Sequence, residues 1–281
     1  MSIAYYNGVF SDFSDIRIPL SDRSVFFGDG IYDAAIGMDG KIYLEEEHIN
    51  RFYRNAAALD IQTELSKSDL SALLKKAISR SGYEKYFLYF QLTRYSESRA
   101  HAYPEGASSN LLITVKEHTV PPLTATLKLI STDDVRYSMC NVKTLNLIPN
   151  VIASAKAERA GCDEAVFVRN GIVTECAHSN IFAVKDGIVY THPNSNFILP
   201  GITRGRILFL CEKLDIPYKE LPFSKEDLSS ADDILVTSTT KLCLRATELD
   251  GKCVGMKKST ISERLISAVN EDFYSIFLQK N

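Results

Sequence analysis

A lysine can act as an amine nucleophile only when it sheds its proton, and apolar neighbours favour the neutral form. Lys143, in Val142-Lys143-Thr144-Leu145-Asn146 with Leu147 and Ile148 beyond, has such neighbours. A second candidate is Glu175, in Val173-Thr174-Glu175-Cys176-Ala177-His178-Ser179-Asn180-Ile181-Phe182. A third feature is Leu199-Pro200-Gly201-Ile202-Thr203-Arg204. There the free amides of a helix start, with Thr203 as side-chain cap, would make an anion site. An amine, a carboxylate and a phosphate-type anion site together suit Schiff-base chemistry on a phosphorylated aldehyde.

Further groups fit the same chemistry. Ser238-Thr239-Thr240 follows an apolar strand-like run and could offer hydroxyls and amides to the anion. Arg51, in His48-Ile49-Asn50-Arg51-Phe52, falls on the polar side of its expected helix. Arg99 and His101 stand two apart in Thr93-Arg94-Tyr95-Ser96-Glu97-Ser98-Arg99-Ala100-His101. In extended chain they face one side, where the arginine could grip a carboxylate through two hydrogen bonds and the histidine add a third. Gly28-Asp29-Gly30 lacks the third glycine of a dinucleotide fingerprint, since Asp33 occupies that place.

The lysine, glutamate and glycine–threonine segments, in this order and spacing, resemble the class IV pyridoxal-phosphate aminotransferases. That family includes D-amino acid aminotransferases, branched-chain aminotransferases and aminodeoxychorismate lyase. The resemblance runs from Asn7-Gly8 to Leu249-Asp250-Gly251, and the Arg99-x-His101 pair makes it closest to the D-amino acid enzymes. It implies that Lys143 forms the Schiff base with pyridoxal 5'-phosphate and then moves the substrate proton. It further implies that Glu175 pairs with the pyridinium nitrogen, that Leu199 packs on the ring, and that Arg51, Ile202, Thr203 and Thr239 hold the phosphate. Ser238 is a further cofactor candidate by its place beside Thr239. Tyr32 would join Arg99 and His101 in a trap for the substrate carboxylate, with the latter two supplied by the neighbouring subunit of an obligate homodimer. The implied activity is transamination of D-amino acids such as D-alanine, with a 2-oxo acid such as 2-oxoglutarate as acceptor. Aminodeoxychorismate lyase, then branched-chain L-amino acid aminotransferase, are the alternatives. One departure is clear. The D-amino acid enzymes follow the acid with glycine and serines, whereas Cys176, Ala177 and His178 stand here, so fine substrate preference is expected to differ.

The elements that must position these groups read as α+β, with mixed, mostly antiparallel sheets. Residues 1–116 form a smaller N-terminal domain, 117–123 with Pro121-Pro122 a linker, and 124–281 a larger cofactor-binding domain. Hairpin signals occur at Asn7-Gly8, Asp39-Gly40, Asn170-Gly171 and Asp186-Gly187. Helices are expected from Glu45, from a Ser68 cap to Gly82, over Asn146–Ala160, Thr203–Leu214 and Ile261–Phe277. The length of 281 residues, 45% hydrophobic, allows a substantial core. A net charge of −3 offers no footprint for nucleic acid, and no apolar run reaches membrane-spanning length. The six cysteines form no C-x-x-C pair, so no metal site is expected. The thiols and the N-terminal residues fit a cytoplasmic protein.

Overall fold

Turn residues with positive φ set the first sheet. Asn7 (φ 42°) and Gly8 (φ 96°), then Asp39 (φ 52°) and Gly40 (φ 77°), adopt the left-handed pair that matches strand twist in a two-residue hairpin. The computed structural model describes residues 3–95, 99–255, 257 and 259–278. They form two units, the first comprising residues up to Thr119 together with Val142–Asn146, the second Val120–Asn141 and Leu147–Leu278.

The first unit carries β1 (Ile3–Tyr6), β2 (Val9–Asp12), α1 (Ser24–Phe27), β3 (Gly30–Met38), β4 (Lys41–Ile42), α2 (Glu45–Ala58), α3 (Lys67–Ser81), β5 (Lys85–Arg94) and β6 (Ser109–Glu117). Its six strands run β2-β1-β6-β5-β3-β4, every pair antiparallel. Strand alternation sends Ile31, Ala35, Leu88, Phe90, Leu92 and Ile113 to one face, where Ile49 and Phe52 of α2 and Leu70 and Leu74 of α3 cover them. Tyr32, Tyr89 and Gln91 occupy the opposite, half-buried face. The cap of α3 is Ser66 rather than the expected Ser68, its hydroxyl accepting from the Asp69 amide at 3.1 Å.

The second unit carries β7 (Thr126–Asp133), α4 (Ile148–Arg159), β8 (Glu164–Arg169), β9 (Ile172–Cys176), β10 (Asn180–Lys185), β11 (Ile188–Thr191), α5 (Ile202–Lys213), β12 (Tyr218–Glu220), α6 (Lys225–Ser229), β13 (Asp233–Ser238), β14 (Leu242–Leu249), β15 (Lys252–Cys253) and α7 (Thr260–Leu278). The sheet order is β12-β11-β10-β13-β14-β7-β8-β9, with β15 on β14. Pairs β11–β12, β7–β14 and β7–β8 are parallel and the others antiparallel, the mixed arrangement expected of an α+β chain. Leu127, Leu129, Val166, Val173, Ile181, Ile234, Val236 and Leu244 form its core. Among the described residues, no helix is long and apolar enough to cross a membrane.

Candidate active site

The lysine segment, which the expected boundaries assign to the C-terminal domain, packs with the first unit. Thr144 bridges Ile31 in antiparallel register. The Tyr32 amide donates to the Lys143 carbonyl at 3.0 Å, and the Leu145 amide to the Gly30 carbonyl at 3.1 Å. Gly30 is obligatory there, because a Cβ would lie 2.8 Å from Leu145 Cδ1, Leu92 O and Thr93 Cγ2. Val142 anchors the segment in the core, 7% exposed. Lys143 is left half-buried, its Nζ 4.2 Å from the centroid of the Tyr32 ring. Tyr32 in turn stacks on Tyr89 at 5.4 Å. The structure therefore brings Lys143 and Tyr32 together.

Arg51, on the polar side of α2, is buried against β3. It is 3% exposed and grips Asp33 through Nε and Nη2, both at 2.8 Å. His48 Nδ1 meets the same carboxylate at 2.7 Å. Burial alone would raise the Asp33 pKa, but the Arg51 charge and the His48 hydrogen bond hold it well below the carboxylate range. Burial pushes His48 below its ordinary value. Asp33 inside an otherwise apolar strand was the sequence signal for this triad, since a buried carboxylate requires a partner.

Arg99 and His101 are exposed on the loop after β5, and Ser96–Ser98 lie outside the described residues. The Arg99 Cζ is 5.4 Å from the Phe27 ring centroid, and the His101 ring is 5.3 Å from the same ring. Within one chain, no hydrogen bond or ion pair among the described residues joins either side chain to Tyr32 or Lys143.

In the second unit, Glu175 is the penultimate residue of β9, 5% exposed. Its Oε2 accepts from the Leu199 amide at 2.9 Å and Asn180 Nδ2 at 3.0 Å, and its Oε1 accepts from Arg136 Nη1. Arg136 also holds Asp134 through Nε at 2.9 Å and Nη2 at 3.0 Å, and lies 4.3 Å over Phe167. Burial would raise the Asp134 pKa, yet the hydrogen bonds and charge of Arg136 bring it below the usual value. Arg136, Asp134 and Asn180 escaped the sequence reading. Asp134-x-Arg136 beside an apolar strand was the available signal, because two opposite charges two residues apart can satisfy each other in a buried site.

The same unit contains the anion-site candidates. Gly201, not Thr203, is the N-cap of α5, and no side chain caps it, so the first-turn amides keep their donor capacity. Thr203 is instead buried at the second helical position. Gly201 is required by close approach, since a Cβ would come within 2.0 Å of Asn180 Oδ1. Asn180 thus touches both the Glu175 carboxylate and the helix start. Ser238, Thr239 and Thr240 are half-buried, with Ser238 Oγ 3.4 Å from Thr240 Oγ1 and accepting from the Lys241 amide at 3.2 Å.

His178 reaches Glu164 Oε2 through Nδ1 at 2.8 Å, and Ser179 Oγ and Lys241 Nζ share that oxygen at 2.9 and 3.3 Å. Cys176 is buried, and burial followed by the charges of Glu164 and Glu175 raises its thiol well above the ordinary value, leaving it a packing residue.

Each unit by itself carries groups whose chemistry suits pyridoxal phosphate. Glu175 is a buried carboxylate with Arg136 as permanent counter-charge, which suits an acceptor for a pyridinium N–H. The uncapped start of α5 suits a phosphate, and the half-buried Lys143 suits an amine nucleophile.

Residues 30–249 match the family model for amino-transferase class IV. The chain is 35% identical over 257 residues to a D-alanine aminotransferase of Staphylococcus epidermidis, covering 90% of this chain and 91% of that protein. It is 34% identical over 252 residues to a D-alanine aminotransferase of Bacillus licheniformis, covering 89% of each. The fold superposes with TM-score 0.88 and 21% identity on a branched-chain amino acid aminotransferase from Escherichia coli, over 97% of this chain and 94% of that one. The protein belongs to the class IV aminotransferase family, and is an enzyme of that pyridoxal-phosphate-dependent kind.

Proposed function

We propose that the protein transfers the amino group of a small D-amino acid, D-alanine or one like it, to a 2-oxo acid such as 2-oxoglutarate. Bound pyridoxal phosphate would supply the electron sink that makes the substrate Cα–H acidic. Lys143 would hold the cofactor through Nζ, and the same Nζ would take the substrate Cα proton and return it. Glu175 would accept a hydrogen bond from the ring N–H, and Arg136 supplies Glu175 with its counter-charge. The amides of Ile202 and Thr203, with Ser238, Thr239 and Arg51, would hold the phosphate, and Leu199 would pack on the ring.

Tyr32, Arg99 and His101 fix the substrate carboxylate and so decide which Cα face meets Lys143. Arg99 and His101 act on the neighbouring subunit of a homodimer. The observation that carries this reading is the pair itself: an arginine and a histidine resting on one ring, Phe27, with both side chains exposed on the surface of a single chain. Relatives named for D-alanine support the choice of substrate hand.

The test is the visible absorption of the cofactor-loaded protein before and after D-alanine or L-leucine. Bleaching with D-alanine alone supports the reading. Bleaching with L-leucine alone moves the protein to branched-chain substrates, and no change with either points to the lyase chemistry.

A further inference from the structure

The loop with Arg99 and His101 is exposed, and an exposed loop does not by itself hold two side chains in register for a ligand. Two buried arginines and the half-buried Asp29 lie beneath it. Arg23, 4% exposed, donates from Nη1 to the Ala100 carbonyl at 2.6 Å and from Nη2 to the His101 carbonyl at 3.1 Å. Its Nε donates to Asp29 Oδ2 at 2.7 Å. The same oxygen accepts from Arg94 Nε at 3.0 Å, while the other two nitrogens of Arg94 donate to the carbonyls of Asp60 at 2.8 Å and Leu59 at 2.6 Å. The loop main chain is thereby tied through Arg23, Asp29 and Arg94 to the end of α2.

The aromatic contacts repeat the pattern. Phe27 lies 4.6 Å from the Arg23 Cζ as well as 5.4 Å from that of Arg99 and 5.3 Å from the His101 ring. Tyr103 lies 3.4 Å from the Arg94 Cζ. A guanidinium suits this place because its rigid fork reaches one carboxylate and two carbonyls at once, which an ammonium on a flexible stem does not.

We propose that Arg23 is a positioning residue for substrate binding, holding the 100–101 main chain so that Arg99 and His101 stay ready for a carboxylate. The proposal rests on the reading of those two residues as the carboxylate trap. Arg23 itself touches neither substrate nor cofactor. Arg23→Lys keeps a positive charge beside Asp29 and loses the fork, so the fold is retained while the loop loosens.

The experiment is steady-state kinetics with D-alanine for wild type, Arg23→Lys, Arg99→Ala and the double variant, beside melting curves and cofactor absorption. Arg23→Lys should raise KM roughly tenfold or more with kcat within about threefold, as expected when misplacement weakens binding alone. Melting and absorption should stay at wild-type values. The double variant should lose less than the sum of the two single losses, since part of what Arg23→Lys removes acts through Arg99 and only the His101 part remains. A raised KM in Arg99→Ala beside an unchanged KM in Arg23→Lys would overturn this proposal and leave the trap intact. Additive effects, or equal losses in kcat and KM with a lowered melting temperature, would reduce Arg23 to a packing residue. An unchanged KM in Arg99→Ala would instead remove the trap reading, and this proposal with it.

Discussion

Arg136 links two carboxylates that the sequence separates by forty-odd residues, donating to Glu175 through Nη1 and to Asp134 through Nε and Nη2. Glu175 has two further donors in the Leu199 amide and Asn180. A glutamine at 175 offers only one acceptor oxygen to donors that arrive on both sides. Glu175→Gln should lower kcat by on the order of 10²-fold, the scale of losing a preorganised electrostatic contact. Cofactor content by absorbance should fall far less. Retained turnover would refute the role of Glu175.

Removing the counter-charge has a different signature. Arg136→Met removes the arginine that the buried Asp134 and Glu175 share, a change that costs about 3–5 kcal/mol in comparable sites. Urea unfolding of the cofactor-free protein should show that loss. Stability within 1 kcal/mol of wild type, a threshold set at roughly the usual single-mutation effect, would mean that neighbouring groups such as Arg169, whose Nη2 lies 3.1 Å from Asp134 Oδ1, suffice.

The Asp33–His48–Arg51 triad predicts acid sensitivity. Asp33 has its folded pKa depressed, so its contribution is present above the unfolded carboxylate range and is lost as pH falls through the lower folded value. His48 is also depressed, binding its proton more readily in the unfolded chain, so its contribution too is lost as pH drops below about 6.5. Both act in the same direction. Unfolding free energy should decline from pH 7 toward pH 5, with a slope from His48 of at most about 1.4 kcal/mol per pH unit. His48→Gln should flatten that limb, and an unchanged slope would assign it elsewhere.

Two glycines of one segment should respond oppositely. Gly201→Ala drives a methyl to within 2.0 Å of Asn180 Oδ1 and should cost about 1–3 kcal/mol while weakening cofactor retention. Gly205 lies inside α5 with nothing within 4 Å of an added Cβ. Gly205→Ala should stabilise by about 0.5–1 kcal/mol. Calorimetry on the pair checks both signs.

Local signals carried most of the fold. Asn170-Gly171 and Asp186-Gly187 make the hairpins they announce, Pro149 sits in the first turn of α4, and Gly82 ends α3 in the left-handed conformation. Each depends on backbone sterics within a few residues, which a sequence states directly. Lys143 and Glu175 stood out for their chemical type and surroundings in the chain.

Non-local packing decided the rest. Periodicity put Arg51 on the polar side of α2, and helix spacing cannot register that Asp33, on β3, needs a buried cation there. The lysine segment pairs with β3 by a bridge between Ile31 and Thr144, over one hundred positions apart, through Gly30. Thr203 is not the cap because α5 already begins at Ile202, with Gly201 as N-cap at a place where Asn180 leaves room only for a glycine. The chain alone determined which groups could do the chemistry and which elements would form, since those follow from residue type and near-neighbour geometry. Only the tertiary structure determined their partners, because satisfying a buried charge depends on what the fold brings beside it.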